Sequence, residues 1–85
     1  MLFPLLILGL QQATPAVPKQ APVEPPRYAE CMDLATGDPS AGVESANRWR
    51  LEGGGMWARQ CLGVAYANQQ RWASAGGAFE EAARE

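Results

Sequence analysis

Histidine is absent from the 85 residues, and with it the side chain that most often serves as general base or metal ligand near neutral pH. Lysine occurs once, at Lys19. Seven basic residues stand against nine acidic ones, a net charge of −2. No sign of charge dominates, so nothing draws the chain to nucleic acid or to an anionic membrane surface. Cysteine occurs only as Cys31 and Cys61. Without a CxxC spacing or further ligands, the pair offers neither a zinc site nor a dithiol redox centre. A chain this short cannot enclose a substantial pocket, and no serine or cysteine has a histidine to activate it. Glu80, Glu81 and Glu85 read as the solvated face of a terminal helix. The expectation is a non-enzyme with no catalytic, cofactor-binding or metal-binding residues and no cofactor.

Long apolar runs are also missing. Met1–Leu10, MLFPLLILGL, is apolar apart from Pro4 and Gly9, but it is too short to cross a bilayer as a helix. It suits the apolar region of a secretory signal peptide spanning residues 1–16, with small residues at Ala13 or Ala16 for cleavage. A basic n-region is lacking, so an uncleaved anchor is the competing reading. Residues 17–26 continue a stretch, Thr14–Pro26, that holds five of the seven prolines. Each proline removes an amide donor and pushes its predecessor toward extended backbone, which makes a polyproline-like linker. An SH3-type ligand is the alternative on composition alone.

From Arg27 the composition turns helical. Arg27–Ala35 places Tyr28, Cys31, Leu34 and Ala35 on one side. Thr36-Gly37-Asp38-Pro39 is sharp punctuation: Gly37 for a left-handed helix end, Asp38 for the next N-cap, Pro39 for the first turn. A helix over 39–52 follows, with Gly42, Ala46 and Trp49 inward and Glu44, Arg48 and Glu52 toward water. Gly53-Gly54-Gly55 ends it as a flexible turn; no strand precedes it and no Lys-Ser/Thr pair follows, so it is not a phosphate loop. Residues 56–85 then form a helical hairpin. Trp57, Cys61, Val64 and Ala65 recur at helical spacing in its first half, and Trp72, Ala75, Phe79 and Ala82 in its second. Asn68-Gln69-Gln70-Arg71 supplies the turn.

The set Leu62-Gly63-x-x-Tyr66, Trp72, Ala75-x-x-x-Phe79 and Ala82 resembles a tetratricopeptide (TPR) repeat. Gly63 and Ala75 are small where paired helices touch, while Leu62, Tyr66, Trp72 and Phe79 fill the space around them. Two departures are visible: Arg59 stands where the pattern has Trp, and the closing Pro falls beyond Glu85. Gly42, Ala46 and Trp49 return as Ala75, Phe79 and Ala82 after 33 residues, close to the repeat length. Residues 27–52 therefore read as a degenerate first repeat and 56–85 as the better second one. The expected fold is all-α, two antiparallel helical hairpins of TPR-like solenoid type after a disordered N-terminal segment.

In such a stack the first helices of successive hairpins are parallel neighbours. The resemblance thus makes a Cys31–Cys61 disulfide geometrically plausible, and the signal-like N-terminus favours it over the alternative of two buried free thiols. Gly76-Gly77 either weakens the last helix or admits the close approach of another. The edge formed by Trp72, Phe79 and Ala82 would be covered by a partner, a second copy, or residues outside this chain. The resemblance implies a scaffold that binds another protein or peptide, and the signal-like Met1–Leu10 run adds the expectation that it is exported to the periplasm or secreted. The alternatives are a structural, self-associating subunit, a fragment of a longer repeat protein, or a protein tethered by its N-terminal segment. No nucleic acid partner is expected, and the membrane enters only through an uncleaved N-terminus.

Overall fold

The computed structural model describes residues 23–85. The expected signal segment and the linker up to residue 22 lie outside the described residues. Four helices account for the fold: α1 (Pro26–Gly37), α2 (Pro39–Leu51), α3 (Gly55–Asn68) and α4 (Trp72–Ala83). Among the described residues there is no strand, and the all-α expectation holds.

Local chemistry explains each boundary. Pro26 occupies the first helical position of α1, where its missing amide has no intrahelical partner to lose. The helix therefore starts one residue inside the stretch read as linker. At the other end Gly37 stays helical and never becomes left-handed. Asp38 does the work of both ends: its backbone N–H donates to Leu34 O at 2.7 Å, and its side chain accepts from Ala41 N at 3.3 Å. One extended residue is enough to reverse the chain, so no left-handed glycine is needed. Pro39 takes the first position of α2 as expected. The glycine triplet is less a flexible tether than a shaped turn. Gly53 and Gly55 have φ of 93° and 58°, and a Cβ at Gly54 would lie 2.6 Å from the Trp49 ring and 2.7 Å from Ala58 Cβ. Between α3 and α4, Gln70 carries the left-handed conformation at φ 61°.

The directions of the helices follow from side-chain pairs at opposite ends. In the first hairpin Gly42 meets Ala35 near the turn, while Arg27 reaches Glu52 at 2.7 Å at the far end. In the second, Arg71 lies over the Tyr66 ring at 4.6 Å near the turn and Arg59 pairs with Glu85 at the far end. Both hairpins are antiparallel. α1 and α3 instead keep a near-constant offset, from Tyr28 against Trp57 through Cys31 with Cys61 to Asn68 on the Ala35 carbonyl. They run parallel. Among the described residues α3 is the one helix that packs against all three others.

Small residues dominate the interior. Ala35, Ala46, Ala58, Ala65, Ala75, Ala78 and Ala82 are buried beside Cys31 and Cys61, with Trp49 and Leu62 as the larger apolar members. Each buried methyl contributes only about 0.8 kcal/mol, so this core draws less from hydrophobic burial than a leucine-rich one of the same size. What it gains is proximity. A Cβ on Gly42 would stand 2.6 Å from Ala35 Cα and 2.8 Å from its N, so α1 and α2 meet backbone to backbone. By contrast, a Cβ on Gly76 or Gly77 would meet nothing within 4 Å, and both residues are exposed. No described helix approaches them; they weaken α4.

These two glycine environments predict opposite signs. Gly42→Ala should destabilise by about 1–3 kcal/mol through overpacking. Gly76→Ala should stabilise by about 1 kcal/mol as a better helix former. Urea unfolding followed by circular dichroism reads both, and a stabilised Gly42→Ala variant would contradict the backbone contact.

Candidate interaction surface

The layer joining the two hairpins is built from the ends of α1 and α3. Cys31 and Cys61 form a disulfide with their Cα atoms 6.2 Å apart. At the N-terminal end Tyr28 meets Trp57 edge to face, with ring centroids 4.9 Å apart, and its hydroxyl donates to Gln60 Oε1 at 3.4 Å. At the C-terminal end Asn68 Nδ2 donates to the Ala35 carbonyl at 2.9 Å. That carbonyl belongs to the last turn of α1, where intrahelical donors run out. Asn68 looked like turn material in the sequence; its role depends on a helix 33 residues earlier, which no local pattern announces.

The motif residues divide into two groups. Leu62, Gly63, Ala75 and Ala82 are buried between α3 and α4, and Tyr66 is half-buried. Phe79 lays its ring on Gly63, where an added Cβ would come within 2.5 Å of the ring, yet the residue is 41% exposed. Trp72 is 67% exposed and fills no space between the helices. It is the first residue of α4. The inward face of α4 is Ala75, Ala78 and Ala82; Ala82 therefore does not belong to the open edge. Trp72, Gly76 and Phe79, spaced as i, i+4 and i+7, form an adjacent stripe that is open to solvent at Trp72 and Gly76 and part-exposed at Phe79. The two aromatics are about 10 Å apart along the axis, with bare backbone between them.

On the opposite flank of α4, about half a turn round the helix from this stripe, runs a shallow groove of about 320 Å³. Leu62 and Tyr66 of α3 make its floor, Asn47 and Arg50 of α2 one wall, and Ser74, Gly77, Ala78 and Glu81 of α4 the other. Arg50 Nε donates to Asn47 Oδ1 at 3.3 Å. The groove thus has an apolar floor between a guanidinium and a carboxylate.

Arg59, which departs from the motif, holds α4 by ionic contact. Its Nε donates to Glu81 Oε2 at 3.3 Å and its Nη1 to Glu85. Two of the three terminal carboxylates are consequently engaged with α3, while Glu80 pairs with Arg84 at 3.8 Å. These pairs are solvent-exposed and worth less than about 1 kcal/mol each. Among the described residues, no three His, Cys, Asp or Glu side chains gather where they could hold a metal ion, and no helix is long and apolar enough to cross a membrane.

No family model matches the chain, and no curated protein or solved structure matches it either.

One ionisable group in the joining layer is displaced from its ordinary range. Burial pushes the Tyr28 phenol upward, helped by the negative charge of Glu24. Because the folded state holds the neutral form, the associated stability is present below the ordinary tyrosine range and lost as pH rises through the raised value. Phenolate absorbance should therefore show one tyrosine titrating late, with stability falling above about pH 10. Tyr28→Phe should remove that late step, and its persistence in the variant would assign it elsewhere.

Proposed function

We propose that this chain is a small, exported, non-enzymatic module that binds another protein or peptide. The observation that carries the reading is a stripe of α4: exposed Trp72 and part-exposed Phe79, flanking glycine backbone that no described residue covers. Large aromatics at interfaces supply contact area at low entropic cost and recur among the residues that carry binding energy. The absence of side chains at Gly76 and Gly77 leaves room for a partner to approach the helix axis.

A TPR-type scaffold is the architectural form of this proposal. It is supported by the parallel pairing of α1 with α3, by the central position of α3, and by Gly63 receiving Phe79. Export is supported by the apolar Met1–Leu10 run and by a disulfide that reducing compartments would not sustain. Self-association through the same stripe is the second reading, because an uncovered aromatic edge fits a second copy as readily as a foreign surface.

Crosslinking separates the two. A photo-reactive residue placed at Trp72 should capture a different protein in the native host, while the same probe at exposed Arg48 should capture none. Capture of a second copy alone, matched by dimerisation in sedimentation, would transfer the reading to self-assembly; no capture at Trp72 would overturn both. Export is read independently from intact mass. The mature chain should begin after Ala13 or Ala16, and a full-length chain with Met1 retained in a soluble cytoplasmic fraction would refute it.

A further inference from the structure

Cys31 and Cys61 are the largest side chains among the described residues to be wholly withdrawn from solvent. Their neighbours in the core are chiefly alanines. Ordering a chain is opposed by conformational entropy, which most domains offset by burying large apolar residues. Here Trp49 and Leu62 are the large buried ones, each 7% exposed, and the others packed on the core, Tyr28, Met32, Val43, Trp57, Val64 and Tyr66, are only partly buried. The glycines of α4 weaken the element that should complete the core. Against that background the bridge closes a loop across 30 positions, which favours folding by a factor of about 10²–10³ in the chain-entropy description.

We infer that oxidation of Cys31 and Cys61 commits this chain to its fold, so that the dithiol form is largely unfolded and the disulfide form is protected from reversal. The step is thiol–disulfide exchange with an external disulfide, carried by a small molecule or an oxidoreductase. One cysteine loses its proton, and its thiolate attacks a sulfur of the acceptor. This forms a mixed disulfide and expels the first acceptor thiol. The second cysteine's thiolate then attacks the cysteine sulfur of that mixed disulfide, closing Cys31–Cys61 and expelling the second acceptor thiol. Two cysteines are oxidised, and one acceptor disulfide takes up the two electrons and two protons.

The two directions differ in access. In the unfolded dithiol chain both thiols meet solvent, and exchange is unhindered. Once closed, both sulfurs lie between α1 and α3 with no exposed surface. A reducing thiolate must wait for local or global opening before it can attack. The surface along α4 then exists only where the chain has been oxidised. This inference does not depend on what that surface binds.

The test uses the full chain. Oxidised protein should give a helical spectrum and a cooperative melt. Protein reduced in denaturant and returned to buffer with reductant, and the Cys31→Ala/Cys61→Ala variant, should each lose most of the helical signal. Oxidised glutathione added to the reduced chain should restore it, separating the latch from irreversible aggregation. Reduction of folded protein in buffer should be at least about tenfold slower than in denaturant. Native ellipticity with a cooperative melt in either bridge-free form would overturn the inference, as would failure of reoxidation to restore helix or equal reduction rates in the two solvents.

Discussion

The Cys31–Cys61 bridge joins α1 to α3, and the remaining contacts are arranged around that pairing. Tyr28 with Trp57 and Asn68 with the Ala35 carbonyl lie at its two ends, so three contacts along one seam set the register of the hairpins. Because α3 also receives α2 and α4, an error in that seam would spread to every helix pair among the described residues. A covalent tie at this place is physically apt. Alanine contacts are numerous and weak, and they specify distance better than they specify sliding.

Proximity is the second theme of the fold. Gly42 against Ala35, Gly54 against Trp49 and Ala58, and Gly63 against the Phe79 ring are all places where a single methyl group would not fit. Each fixes one pair of elements at contact distance. Arg27, lying 5.5 Å over the Trp49 ring and paired with Glu52, closes the open end of the first hairpin from outside. Arg59 does the equivalent for the second. The first hairpin is thus narrow near its turn and the second at mid-helix, and both are tied by arginine at their mouths.

Features governed by neighbouring residues were readable before the structure, and features governed by distant ones were not. Asp38-Pro39 announced a helix start because capping and a fixed φ act within one turn. The inward face of α2 followed from spacing alone, as Gly42, Ala46 and Trp49. The face of α4 did not. Periodicity groups Trp72 and Phe79 with Ala75 and Ala82, and only the position of α3 decides that the alanines turn inward, that Trp72 looks out and that Phe79 lies part-exposed with its ring on Gly63. Gly37 was misread for a related reason: its left-handed potential went unused because Asp38 could end one helix and begin the next. Gly76-Gly77 left two accounts open, and empty space beside both settled the matter. For the candidate interaction surface, the residue types are visible in the sequence, but their exposure is not.

An interior composed of alanine and glycine also inverts the usual pattern of mutational sensitivity. In a leucine-rich core most damaging substitutions remove atoms and leave voids. At Ala35, Ala46, Ala58 and Ala65, all at 0% exposure, almost any replacement adds atoms. Variation at buried positions will therefore act by wedging helices apart, and relief can come only from backbone displacement. Between α1 and α3 that displacement is capped by a covalent bond. Drift in this chain is consequently channelled outward, to the solvent-facing residues of α2 and α4, where side-chain chemistry can change while the spacing of the helices stays the same.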